Sequence, residues 1–148
     1  VELFLSSENT LMINAPLVCD DTLQTNDIAR IYPDGSFTIL GRKDNVINSG
    51  GIKVQAEEIE RLLQSSIPVP FVITSVPDRR LGQAVTLLIE GQMEISALGT
   101  KLESVLASYY RPKYIYTVNH IPQTGNGKIN RKECRVLAES LQLLGRQE

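Results

Sequence analysis

The chain has 148 residues, 42% of them hydrophobic and 22% charged, and carries a formal net charge of −2. That supplies enough apolar material for one compact domain with an appendage, and it excludes the strongly basic face of a nucleic-acid-binding protein. The apolar runs are only a few residues long, so neither a membrane-spanning helix nor a signal peptide is expected.

Residues 1–43 read as a β-rich stretch. Val1, Leu3 and Leu5 alternate with other residues, Ser6-Ser7-Glu8-Asn9 supplies turn chemistry, and Leu11-Met12-Ile13 follows. Val1 is followed at once by strand-like sequence, which reads as a piece cut from a longer protein. A clearer hairpin signal lies in Ile28–Tyr32, then Pro33-Asp34-Gly35-Ser36, then Phe37–Leu40, since proline presets one turn dihedral and glycine supplies the positive φ. It runs directly into Gly41-Arg42-Lys43-Asp44.

From Asp44 onward strands and helices alternate. Val46 and Ile47 start a strand that breaks at Gly50-Gly51. The spacing predicts a helix over 55–65 with Ala56, Ile59, Leu62 and Leu63 on one face, and Glu57 and Glu58 suit its N-terminal dipole. Val69–Val76 and Ala84–Ile89 read as strands, a helix starts near Ser96 with Leu98, Leu102, Val105 and Leu106 on one face, and Tyr114–Val118 is a further strand. After a loop ending at Lys128, Asn130 can cap a last helix, with Glu133 as its capping-box partner and Cys134, Leu137, Leu141 and Leu144 as an apolar stripe. The fold class is therefore α+β: a small domain over 44–148 with a three-stranded sheet, flanking helices and a β-hairpin, preceded by the β-rich stretch 1–43. The two cysteines, Cys19 and Cys134, read as reduced thiols of a cytoplasmic protein, with a single disulfide as the alternative.

Three segments carry chemistry. In Pro122-x-Thr124-x-x-Gly127-Lys128-x-x-Arg131 a lysine flanked by Gly125 and Gly127 sits on backbone able to change shape, and its long stem can deliver a point charge. Composition alone would favour an ordinary solvated lysine. A phosphate-binding Walker loop is excluded, because it needs glycine where Pro122 stands and serine or threonine where Ile129 stands. The second segment runs Gly41-Arg42-x-Asp44 to Gly50-Gly51-x-Lys53 and closes with Glu58-Ile59-Glu60. Arg42 and Asp44 there are either a surface ion pair or a hinge between two arrangements. The third is Thr25-Asn26-Asp27, a carboxylate just before a strand and, on its own, a plain turn aspartate.

In this order the three segments resemble the adenylate-forming superfamily of acyl-CoA synthetases, peptide-synthetase adenylation domains and luciferases, over residues 22–140. The resemblance implies that residues 44–148 are a C-terminal mobile lid domain and 1–43 the tail of a large N-terminal adenylation domain, the partner of the lid. It implies an acid–CoA ligase that uses ATP, CoA and a carboxylic acid, with Mg²⁺ held mainly by the ATP phosphates and the N-terminal domain. Lys128 matches the lysine that bridges carboxylate and α-phosphate during adenylation, Asp27 and Arg42 match groups that hold the ATP ribose, and Asp44 matches the pivot of the mobile domain. Gly51 and Lys53 match the strand–loop lining the pantetheine tunnel. No residue is assigned to a metal.

The family usually has glycine where Asn26 stands, and asparagine is the residue that best tolerates the positive φ such a turn would need. The Ser49–Arg61 run is similar to that of benzoate-type and o-succinylbenzoate–CoA ligases, which points to o-succinylbenzoate in menaquinone biosynthesis. An adenylation domain serving a carrier protein and a non-catalytic binding module are the alternatives. The chain alone is expected to be inactive, having no phosphate loop or acyl pocket. His120 reads as a satisfied structural histidine, and Arg79, Arg80, Arg111 and Lys113 as solvated surface charges that could also meet CoA phosphates.

Overall fold

A computed structural model describes residues 2–17 and 21–146, apart from the side chain of Arg146. Val1 and Cys19, and with Cys19 the disulfide alternative, lie outside the described residues. The chain divides into two compact units, Val1–Val46 and Ile47–Glu148. Among the described residues no helix is long and apolar enough to cross a membrane.

The first unit is an antiparallel sheet of four strands in sequential order, β1 (Glu2–Leu5), β2 (Thr10–Asn14), β3 (Leu23–Ile31) and β4 (Phe37–Arg42). The turn at Pro33 forms as its residues require. The amide of Gly35 donates to Tyr32 O at 2.9 Å, that of Tyr32 donates to Ser36 O at 2.8 Å, and Gly35 takes φ +89°. This is a three-residue hairpin loop, a type I turn closed by a left-handed residue, where glycine costs least. Asp34 accepts the Ser36 amide at 2.9 Å and so reinforces the turn.

From the boundary onward the chain forms a hairpin, β5 (Val46–Ser49, whose first residue closes the first unit) and β6 (Ile52–Gln55), then α1 (Ala56–Leu63), β7 (Phe71–Asp78), β8 (Gly82–Glu90), α2 (Ile95–Val105), β9 (Tyr114–Val118) and α3 (Arg131–Arg146). The strand order is β6-β5-β8-β7, with β9 parallel to β8. The three strands expected from the apolar runs are present, and the Gly50-Gly51 hairpin extends them to five.

Helices cover both faces of this sheet, which explains the near-continuous apolar run of β8. Val85, Leu87 and Ile89 meet Ile59, Leu63, Leu98 and Leu102 from α1 and α2. Ala84 and Leu88 meet Cys134 and Ala138 of α3 on the other face. Period-two alternation thus decides which helix each side chain of β8 touches.

The expected apolar faces need trimming. Leu62, Val105 and Leu144 are exposed, Leu144 to 59%, because each stands past the edge of the surface its helix covers. On α3 the buried residue of the last turns is Gln142, whose amide donates to Pro77 O at 2.8 Å. That bond satisfies a carbonyl of β7, a strand at the margin of the sheet whose backbone groups would otherwise be open to another chain.

Replacing Ile59, which is fully buried, by alanine should cost about 2–5 kcal/mol in urea unfolding of the chain. Leu144→Ala should stay within about 0.5 kcal/mol of the parent. Equal losses would contradict this placement of the α3 stripe.

Candidate functional site

Lys128 sits on a hairpin of the same design as the Pro33 turn. The amide of Gly127 donates to Thr124 O at 3.0 Å, and that of Thr124 donates to Lys128 O at 2.7 Å. Gly127 takes φ +79°, and Gln123 and Ile129 pair across the hairpin. The sequence suggested loose backbone; the structure shows a hydrogen-bonded turn in which Gly127 supplies the left-handed residue. Lys128 is exposed, and among the described residues of its unit no carboxylate pairs with its ammonium. The arrangement is a free cation on a rigid mount.

The hairpin leads straight into α3. Asn130 caps the helix, its Oδ1 accepting the Glu133 amide at 3.2 Å. The reciprocal half of the expected capping box is replaced, because the Asn130 amide donates to Pro122 O at 2.9 Å. That bond closes the base of the hairpin.

The first residue of α3 then locks the assembly. Arg131 Nη2 and Nη1 donate to Glu60 Oε1 and Oε2 at 2.6 and 3.0 Å, a bidentate fork. Glu60 Oε2 also accepts the Ile73 amide at 2.9 Å. Burial works against the charge on Arg131, but the pairing with Glu60 outweighs it and the guanidinium titrates above its ordinary value. The sequence contained both residues inside the quoted segments and assigned neither a role. A carboxylate and an arginine 71 positions apart give no periodic signal.

Gly51 and Lys53 lie on the other hairpin of this unit. Gly50 and Gly51 have φ +61° and +85°, the two positive values of a tight two-residue turn. A Cβ on Gly50 would stand 3.1 Å from the Leu81 side chain, whereas Gly51 faces open space. Lys53 is exposed on β6. The Gly50 amide donates to Leu81 O at 2.8 Å, and Ser49 pairs with Gly82. Asp78 caps that neighbouring loop, its Oδ1 accepting the amides of Arg80 and Leu81 at 2.9 and 3.0 Å. Lys113 Nζ binds Asp78 Oδ2 at 2.6 Å, so Lys113 is ion-paired rather than merely solvated. The Lys113 contact, followed by the Leu81 amide, holds the Asp78 carboxyl down at about 2.

In the first unit Asp27 and Arg42 are cross-strand partners, with Arg42 Nη1 2.8 Å from Asp27 Oδ1. Two irregularities flank the pair. Between Gln24 and Ile28 the third strand takes four steps against two on β2, and β4 carries one extra residue beside Ile28 and Ala29. Such bulges re-aim side chains. Thr25 holds the first, donating to Leu11 O at 2.9 Å while its hydroxyl accepts the Asp27 amide at 3.2 Å. Asn26 lies inside β3, and Asn9 is the non-glycine residue with positive φ among those described, so the expected left-handed role of Asn26 does not arise. Asp44 is exposed in a 3-10 turn, Lys43–Asn45, two residues before the boundary between the units.

His120 is almost fully exposed, 3.8 Å from Glu90, and is no packed structural histidine. Burial pushes the Cys134 thiol up to about 11, which makes it an unreactive core residue at neutral pH. No group of three or more His, Cys, Asp or Glu residues among those described could hold a metal ion.

No protein-family model matches the chain. It is 38% identical over 126 residues to triostin synthetase I of Streptomyces triostinicus, covering 82% of this chain and 24% of that protein. It is 32% identical over 143 residues to the mitochondrial acyl-coenzyme A synthetase ACSM1 of Mus musculus (90% and 25% covered). It is 33% identical over 113 residues to 2-succinylbenzoate–CoA ligase of Lactococcus lactis (76% and 25% covered). Among solved structures it resembles an AMP-forming acyl-CoA synthetase-like protein of Dyadobacter fermentans, with a TM-score of 0.60 and 30% identity over 90% of this chain and 40% of that one. The chain spans about a quarter of the length of the curated relatives it matches.

Glu60→Gln should cost about 2 kcal/mol in chemical denaturation, because a charge-assisted fork is lost and Arg131 is left without its counter-ion. The Asp78 carboxyl titrates near 2 in the fold against 3.8 when free, so its contribution is complete above about pH 4 and is lost as pH falls toward 2. Asp78→Asn should flatten that limb of a stability–pH profile; an unchanged profile would remove Asp78 from this role.

Proposed function

The chain belongs to the adenylate-forming superfamily of acid–CoA ligases and corresponds to its C-terminal part, and we propose that the protein containing it activates a carboxylic acid with ATP and transfers the acyl group to CoA. The observation that carries this reading is Lys128, an ammonium without a counter-ion among the described residues of its unit, on a hydrogen-bonded hairpin clamped by Arg131 and Glu60. During in-line attack of a carboxylate on the α-phosphate, charge builds on both groups. A cation already in place stabilises that charge without reorganisation at the moment of reaction.

In the same reading Asp27 and Arg42 hold the ribose hydroxyls of ATP. The arginine binds one carboxylate oxygen and steers the other toward the sugar. Asp44 is the pivot about which the second unit turns between half-reactions, and Gly51 and Lys53 line the pantetheine channel. Residues 44–148 are then the mobile domain and 1–43 the tail of the large domain. Mg²⁺ that accompanies ATP belongs to the phosphates and to the large domain. The acid is o-succinylbenzoate, on the Ser49–Arg61 pattern and the similarity to a 2-succinylbenzoate–CoA ligase, and the enzyme is cytoplasmic.

In the complete ligase Lys128→Ala should lower adenylate formation by about 10²–10³-fold, the loss typical of one removed electrostatic donor. Thioester formation from supplied acyl-adenylate should change far less. Lys128→Arg should not restore the first step, since a planar guanidinium does not replace a compact ammonium. Adenylate formation at the parent rate in the alanine variant would leave Lys128 a solvated loop lysine.

A further inference from the structure

The Gly50–Gly51 hairpin is anchored at its base, where Ile47 and Val54 are buried in the core, while its tip rests on a few backbone bonds. Its strands are four residues each, and a two-stranded ribbon of that length is marginal in water. It joins the sheet through β5 at the single pair Ser49–Gly82, supplemented by the Asn48 amide on Gln83 Oε1 at 2.9 Å and the Gly50 amide on Leu81 O. Leu81 ends the loop between β7 and β8, and Gly82 is the first residue of β8.

That loop is a three-residue connection between paired strands, Asp78 standing opposite Gly82, and the Asp78 side chain bonds into it. Asp78 spends one oxygen on the amides of Arg80 and Leu81 and the other on Lys113, whose own amide is bonded to Val85 O at 2.8 Å. The carboxylate thus joins the residue leading into β9 to the carbonyl that receives the tip of the hairpin. Lys113, Leu81 and Gly50 also line one cleft of about 260 Å³, so the connection runs along the wall of the space the hairpin faces.

We propose that Asp78 is a positioning residue for the tip of the Gly50–Gly51 hairpin, holding it through the loop that ends at Leu81 in the place from which Gly51 and Lys53 serve thioester formation. The proposal rests on the ligase reading above. The hairpin's own bonds in this linkage go to Leu81, Gly82 and Gln83, and the carboxylate that holds the loop stands 28 residues from Gly50 (78 − 50).

Two measurements test it. In the 148-residue chain, hydrogen exchange of the Gly50 amide reads local opening of the hairpin, and the Asn130 amide, bonded to Pro122 O, serves as reference. Asp78→Ala should speed Gly50 exchange by about tenfold or more and leave Asn130 unchanged. Asp78→Asn keeps an oxygen for the turn amides and loses the charge facing Lys113, so it should give a smaller rise of about threefold. It carries the test should the alanine variant fail to fold. In the complete ligase the same variants should lower thioester formation from supplied acyl-adenylate by about tenfold and leave adenylate formation within about twofold. Unchanged Gly50 exchange, or equal loss of both half-reactions in a ligase whose parent performs both, overturns the proposal. A parent that performs neither half-reaction overturns the ligase reading instead, and the exchange result then decides the structural linkage by itself.

Discussion

A guanidinium on the first turn of the last helix grips a carboxylate on the first helix, and the same carboxylate receives an amide from the margin of the central sheet. Three segments far apart in the chain are therefore fixed relative to one another at Glu60. Side-chain exposures of 16% for Glu60 and 27% for Arg131 leave each in partial contact with water. The desolvation cost that often cancels a buried ion pair is correspondingly reduced, while the bidentate geometry is retained. Because Arg131 follows the lysine hairpin by only three residues, the fork also determines where the free end of Lys128 can reach.

The lysine hairpin and the Pro33 hairpin use one solution in two chemical settings. Each closes a three-residue loop with a glycine in the left-handed region, and in each the residue before the loop both donates and accepts a backbone bond across it. In the first unit the turn serves the sheet alone. In the second it presents a cation that pairs with no carboxylate among the described residues of its unit. A charge held on a stiff support loses little entropy when it meets its target, which is the condition under which a single ammonium has a large effect on a transition state.

The sites of the two units are built differently. Asp27 and Arg42 owe their pairing to bulges in β3 and β4, where extra residues turn side chains away from the plain alternation of a strand. The Gly50–Gly51 hairpin and its support are instead a chain of loop contacts that ends at Asp78 and Lys113. Strands carry the acidic partner and the arginine, whereas the glycines form the tight turn between two short strands that are held in the core by Ile47 and Val54.

The sequence by itself determined the elements with strong local signals. Alternation and turn residues placed the hairpin at Pro33, glycine pairs placed the break after Ser49, and the apolar runs 69–76, 84–89 and 114–118 became strands of one sheet. The motif around Lys128 was legible because its residues are adjacent and each has a local reason. What only tertiary structure decided is every contact between distant positions: Glu60 with Arg131, Asp78 with Lys113, and Gln142 in place of Leu144 against the sheet. A carboxylate on a helix looks the same in sequence whether it faces water or a guanidinium, since periodicity records which face is apolar and not what that face meets. Asn26 followed the same rule, since pairing with neighbouring strands draws it into β3, whereas Gly127 keeps the left-handed conformation that glycine adopts readily and closes the lysine turn.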